Sequence, residues 1–135
     1  MPAFAHVPAD QRPAFPSALS RIGFIPRTWK GTCYTDAIPG AIFAIAYEWV
    51  THVTKAYAEG LGLRPGRNGR VDVEFHLPGD ITVTQEVDVI DELSVGPLAD
   101  TGITRCDGIL GADLLCRWIT VFDFPAGELL LFPYD

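Results

Sequence analysis

The chain has 135 residues, which suits a single domain, and 48% of them are apolar against 20% charged, so it can bury a core. The formal net charge is −7 and the ten Lys and Arg residues are scattered, which argues against a nucleic-acid binder. No apolar run approaches the roughly 20 residues of a membrane-spanning helix, so we expect no membrane segment.

The N-terminal residues predict an extended arm. Residues 1–19 contain four prolines, which fix φ and remove hydrogen-bond donors, so we divide the chain into a proline-rich arm over 1–19 and one domain over 20–135. The first residues lack the basic and apolar regions of a secretory signal, so we expect a cytoplasmic protein. The three cysteines have no C-x-x-C spacing and the three histidines no ligand spacing, so we expect free thiols and no metal site.

The next segment predicts two short strands followed by a helix. Residues 21–36 are strand-like in composition but are interrupted by Pro26 and Gly31. Apolar residues then recur at spacings of three and four, which predicts a helix over about 41–59 that ends at Gly60. The residues of this apolar stripe are Ile42, Ile45, Trp49, Val53 and Tyr57.

A β-hairpin is the clearest local prediction. Residues 71–77 and 81–90 alternate apolar and polar side chains, and a Pro-Gly-Asp sequence turns the chain between them, so one face of the hairpin is expected to be buried. Two further strands, over 119–124 and 128–132, are joined by a Pro-Ala-Gly turn.

The stretch DGILGADLLCRW, before those last two strands, combines a buried strand, a glycine and a short helix. Ile109 and Leu110 end the strand, and Gly111 removes a side chain where another backbone has to pass closely. Asp113 lies in the first turn of a short helix over about 112–118, where a carboxylate favours the helix N-terminus.

This unit and the strands around it resemble the C-terminal half of the retropepsin-like aspartic proteases, including their single-domain bacterial members. The likeness extends over residues 71–133, and the AEGLGL sequence upstream is similar to the family's short helix and leucine-glycine-leucine ending. The resemblance implies a mostly β fold, an acid-protease-like closed β-barrel, with one longer helix at about 41–59 and a short helix at about 112–118. In that family, the glycine lies against the loop that carries the catalytic aspartate.

The resemblance also implies a reaction and an assembly. Each chain of the family contributes one aspartate, so two chains pair about a two-fold axis to form one site without a cofactor. The two carboxylates share one proton and activate a water that attacks a peptide bond of a peptide or protein substrate. A hairpin flap closes over the substrate, and here it would be either residues 64–70 or the tip at 77–80.

Two aspartates are candidates for the catalytic position. Asp36 lies 75 residues before Gly111, upstream of the predicted hairpin, but Ala37 and Ile38 follow it instead of the family's Thr-Gly or Ser-Gly. Asp100 begins a literal Asp-Thr-Gly, but that motif ends only nine residues before Gly111, which is too short for the chain to turn back and cross its own loop. We therefore take Asp36 as the catalytic candidate and Asp100 as the alternative.

Three functions remain open from the sequence. The first is a homodimeric aspartic endopeptidase that uses Asp36. The second is a catalytically inactive relative that serves as a dimeric binding module, which the missing Thr-Gly after Asp36 favours. The third is a small α+β domain with an accidental likeness, in which the apolar face of the 41–59 helix is a partner surface.

Overall fold

The computed structural model describes residues 17–26, 33–45, 48–93 and 105–134, so residues 1–16 of the predicted arm lie outside it. Within those ranges the chain forms ten strands and two helices, so the fold is mostly β, as the sequence predicts. They are β1 (Ser20–Gly23), β2 (Ile25–Pro26), β3 (Cys33–Thr35), β4 (Phe43–Ile45), β5 (His52–Thr54), α1 (Lys55–Gly60), β6 (Arg70–Leu77), β7 (Ile81–Ile90), β8 (Gly108–Leu110), α2 (Ala112–Leu115), β9 (Ile119–Asp123) and β10 (Glu128–Phe132).

The strands form two sheets. The small sheet has the order β1-β10-β9 and the large sheet the order β2-β3-β4-β8-β5-β7-β6. Each sheet keeps two free edges among the described strands, so the closed barrel that the resemblance implies does not form there. The chain passes from one sheet to the other between β1 and β2, at Phe24.

The predicted hairpin is confirmed as β6 and β7, which pair antiparallel from Arg70↔Asp88 to Leu77↔Ile81. Val73, Phe75 and Leu77 are buried on one face, and the polar residues between them are exposed on the other. This alternation follows from the two-residue period of a strand, whose successive side chains point to opposite faces. The hairpin thereby supplies one wall of the core.

Strand β8 enters the large sheet between two strands that come much earlier in the sequence. It pairs parallel with β4 and antiparallel with β5, and Ile109 lies opposite both Ala44 and His52. Leu110 is buried in the main core. A Cβ atom on Gly108 would lie 2.5 Å from the His52 carbonyl oxygen, so a residue without a side chain is needed for this close passage.

The predicted helix over 41–59 is wrong for most of its length. Residues 43–45 and 52–54 are strands, and only Lys55–Gly60 is helical. Strand β4 is buried on both faces, with Phe43 and Ile45 in one core cluster and Ala44 in another, so its continuous apolar run carries no alternation to distinguish it from a helix. The helix begins where Thr54 Oγ1 accepts a hydrogen bond from the Tyr57 N–H at 3.2 Å, which is a typical N-cap.

The second helix is also shorter than predicted, because α2 ends at Leu115 and the chain turns before β9. None of the helices in the described ranges combines the length and the apolar character needed to cross a membrane.

Candidate functional site

Gly111 crosses the backbone of the loop over residues 48–51 at close range. A Cβ atom on Gly111 would lie 2.6 Å from the Val50 carbonyl carbon and 2.7 Å from the Thr51 nitrogen. Since both are backbone atoms, no side-chain rotation can relieve the overlap. Gly111 has a φ of −96°, which any residue can adopt, so the position requires space and not an unusual backbone conformation.

A buried threonine holds the loop to the start of α2. The Thr51 hydroxyl, which is fully buried, donates to Asp113 Oδ1 at 2.6 Å and accepts a hydrogen bond from the Gly111 N–H at 3.0 Å. The Thr51 N–H donates to the same Asp113 oxygen at 3.0 Å. Asp113, in the first turn of α2, therefore accepts two hydrogen bonds from one residue of the loop. Hydrogen bonds to a charged acceptor are stronger than neutral ones.

The other end of the loop is held through its carbonyl groups. The Ala112 N–H donates to the Glu48 carbonyl at 2.8 Å, and the Asp113 N–H donates to the Trp49 carbonyl at 3.0 Å. These two N–H groups belong to the first turn of α2 and have no partner within the helix, so the loop serves as the cap of α2. The loop is thus fixed from both directions.

No aspartate occurs in this braced loop. The sequence from Phe43 to Thr51 contains none, and the described part of the loop displays Trp49, whose side chain is 84% exposed. In the family that the sequence resembles, the loop opposite the glycine carries the catalytic carboxylate. Here, the described residues of the loop present the side chains of Glu48 and Trp49 to solvent.

Asp36 lies elsewhere. It follows Thr35, which pairs with Phe43 at the Gly108 end of β8, whereas Gly111 follows the opposite end of β8. Its side chain is exposed, and no described residue forms a hydrogen bond or an ion pair with its carboxylate. Asp36 lines an open cavity of about 320 Å³ together with Gly23, Phe24, Tyr34, Thr35, Ile42 and Gly127. Asp100, the alternative, lies outside the described residues.

The buried titratable groups near this region stay neutral. Burial raises the pKa of the Cys106 thiol, which is the opposite of what a reactive thiolate needs. Burial, with a smaller effect of Cys106, raises the pKa of Tyr34, and burial, with a smaller effect of Asp107, raises that of Tyr57. None of these side chains is therefore a better nucleophile or base than it would be in water.

Both segments proposed as flaps are held in place. In the first, the Gly66 N–H donates to the Arg70 carbonyl at 3.0 Å and the Gly69 carbonyl accepts from the Val89 N–H at 3.0 Å, so this turn is attached to the sheet. In the second, the hairpin tip packs so closely on β1 that a Cβ atom on Gly79 would overlap the Leu19 carbonyl oxygen.

Gly111 and Asp113 were predictable from the sequence, whereas Thr51 and the loop that it anchors were not. The AEGLGL sequence was a signal for this loop. The family's short helix corresponds to α1, and the loop ends just before β5, the strand that leads into α1. The predicted long helix ran through the same residues and concealed that loop.

One comparison with known proteins bears on the fold. No protein-family model and no curated protein matches the chain. Among solved structures, the chain is similar to the retroviral protease-like domain of Ddi1 from Leishmania major, with a TM-score of 0.51 and 17% sequence identity. The similarity covers 83% of this chain and 93% of that one. The chain therefore has a retropepsin-like fold, as the sequence resemblance implies.

Proposed function

We propose that this chain is a catalytically inactive retropepsin-like protein that serves as a dimeric binding module for a peptide or protein. The observation that carries the proposal is the loop opposite Gly111, which has the bracing expected of a catalytic loop and no aspartate. Hydrolysis by a paired-carboxylate mechanism needs two carboxyl groups close enough to share one proton. Two copies of this loop supply no pair of aspartates, and the one carboxyl side chain in it is that of Glu48.

An open sheet edge supports the dimer. Strand β9 has β10 as its only partner among the described strands, so one row of its backbone N–H and C=O groups is unpaired. Its sequence, ITVFD, has no proline or lysine to discourage pairing with another chain. Antiparallel pairing of β9 with the same strand of a second copy would satisfy these groups about a two-fold axis.

Exposed apolar side chains lie at the same edge. Ile119, Phe122 and Phe124 are among the large apolar residues that remain exposed, and the rings of Phe122 and Phe124 stack with centroids 5.9 Å apart. Aromatic side chains that stay exposed in the monomer are typical anchors of an interface. A second copy paired along β9 would cover them.

The dimer can be tested by sedimentation equilibrium at micromolar concentration. We expect the wild-type chain to dimerise and Ile119→Lys to be monomeric, because a charge at the β9 edge opposes pairing with another chain. Leu61→Lys is the matched control, since Leu61 is also exposed and lies beyond α1. A monomeric wild-type chain, or a dimer that survives Ile119→Lys, would rule out this interface.

A second candidate function is the aspartic endopeptidase, with Asp36 as its catalytic residue. It is favoured by the exposed carboxylate at the mouth of a cavity and by the absence of any described partner for that carboxylate. The discriminating assay follows cleavage of an unfolded protein from acidic to neutral pH by the wild type, Asp36→Asn and Asp100→Asn. We expect no cleavage by a folded wild-type dimer. Cleavage lost only in the Asp36 variant would establish the peptidase, and cleavage lost only in the Asp100 variant would move the site to Asp100.

We place this module in the cytoplasm. Cys106 and Cys116 are free thiols in the structure, and free thiols fit a reducing compartment. Localisation of a tagged chain in fractionated cells tests this assignment.

A further inference from the structure

The cavity beside Asp36 lies where the small sheet meets the large one. Gly23 and Phe24 belong to the segment that passes between the sheets, and Gly127 lies in the turn between β9 and β10. Tyr34, Thr35 and Asp36 come from the end of β3. Its volume of about 320 Å³ falls within the range of small-molecule sites, which is roughly 300–1,000 Å³.

The walls of this cavity are tied together by hydrogen bonds. The Thr35 hydroxyl donates to the Gly23 carbonyl at 2.7 Å, which joins β3 to the end of β1. The Phe24 N–H donates to the Gly127 carbonyl at 2.8 Å, which joins the crossing segment to the β9–β10 turn. Phe24 and Tyr34 are both buried, so the apolar surface of the cavity is held in a fixed shape before any ligand enters.

Asp36 is the only charged residue among those that line the cavity. Two cations in the described part of the chain near this cavity are already engaged, since Arg21 pairs with Glu128 at 3.0 Å and Arg105 pairs with Asp107 at 3.3 Å. The Asp36 carboxylate is therefore left without a counter-ion among the described residues, and the net charge of −7 favours the approach of cations over anions.

We propose that this cavity binds a small organic monocation, with the ammonium group of the ligand against Asp36 and its apolar body against Phe24, Tyr34 and Ile42. Aromatic and aliphatic walls with one well-placed charge are the usual composition of a small-molecule site, and the aromatic faces add an attraction for the cation. The site is distinct from the Trp49 loop. The inference goes beyond the proposed binding module and does not depend on whether the chain is a dimer.

The test is a titration of the full ¹⁵N-labelled chain with 2-phenylethylammonium, in which the amide chemical shifts of the chain are measured. We expect shifts at Thr35, Asp36 and Gly127, and about five-fold weaker binding of the neutral analogue 2-phenylethanol, which is the effect of one exposed ion pair. Asp36→Asn should weaken the ammonium by about the same factor and leave the alcohol unchanged. Glu59→Gln, which alters the net charge equally on an exposed residue of α1, is the matched control.

A second variant separates the apolar contribution from the charge. Ile42→Ala shortens one apolar wall, so it should weaken the ammonium and the alcohol alike. Equal affinity of the wild type for both probes, or amide shifts confined to other parts of the chain, would overturn the proposal. Tighter binding of Nα-acetyl-lysine N-methylamide than of 2-phenylethylammonium would also overturn it, because the ligand would then be a protein side chain. All these readouts are of binding, so they are independent of the cleavage assay.

Discussion

Replacing Gly111 by alanine is expected to destabilise the fold through a single methyl group. The added Cβ would lie 2.6–2.8 Å from three backbone atoms of Val50 and Thr51, whereas ordinary contacts between such atoms are about 3.5–4.0 Å. The 48–51 loop would have to retreat by about 1 Å. Overpacking of this kind costs about 1–3 kcal/mol in a well-packed interior.

The loop cannot retreat without weakening the hydrogen bonds that fix it to α2. These are the bonds from Thr51 to Asp113, from Gly111 to Thr51, and from the first turn of α2 to the carbonyls of Glu48 and Trp49. If the shift removes even one of them, the loss adds about 1 kcal/mol. We therefore expect Gly111→Ala to lower the free energy of unfolding by about 3 kcal/mol, which is a large part of the 5–15 kcal/mol typical of a domain.

Urea unfolding followed by far-UV circular dichroism measures this loss. The matched control is Gly60→Ala at the end of α1, where an added Cβ meets no atom within 4 Å. Alanine there should raise the free energy of unfolding by up to about 1 kcal/mol, because glycine is a poor helix former. A Gly111→Ala protein within 0.5 kcal/mol of the wild type in this assay would refute the close crossing of Gly111 and the 48–51 loop.

Two further predictions concern buried groups. Thr51→Val removes the hydroxyl that bonds to both Asp113 and Gly111, so we expect the free energy of unfolding to fall by about 2–3 kcal/mol in the same urea assay. The control is Thr84→Val at an exposed position of β7, which should be near neutral. Equal losses in the two variants would contradict the role of Thr51. Burial raises the pKa of the Cys106 thiol, so the folded state favours the protonated thiol. The contribution of this thiol to stability is therefore full below about pH 8.5 and is lost as the pH rises through the folded-state pKa. Above about pH 8.5, the free energy of unfolding should therefore fall less steeply with rising pH in Cys106→Ala than in the wild type or in Cys116→Ala, and identical slopes would count against this linkage.

The parts of the fold that were predictable from the sequence are those fixed by local patterns. The hairpin of β6 and β7 has an alternation of apolar and polar residues that suits only a strand with one buried face. The strand, glycine and short helix around Gly111 were recognisable because a buried strand and a helix N-terminus each have a local signature. Their boundaries were less well predicted, and α2 is shorter than the sequence indicated.

The parts that were not predictable depend on contacts between distant residues. Strand β4 is a strand because β8, more than 60 residues later, pairs with it, and nothing within residues 41–59 reveals that pairing. The spacing of apolar residues there fits a helix equally well, since a fully buried short strand has no alternation. The role of Thr51 was hidden for the same reason, because its partners Gly111 and Asp113 come from the other end of the chain.

The 48–51 loop is fixed by interactions that do not involve most of its side chains. The hydrogen bonds that fix the 48–51 loop involve its backbone and the Thr51 hydroxyl, and the close passage involves only Gly111 and backbone atoms. None of these interactions depends on the side chains of Glu48 and Trp49, which the loop presents to solvent, so a loop with an aspartate at either position would be equally well supported. A likeness based on the glycine crossing and the strands around it therefore predicts the fold, while the reaction depends on residues that the crossing does not constrain.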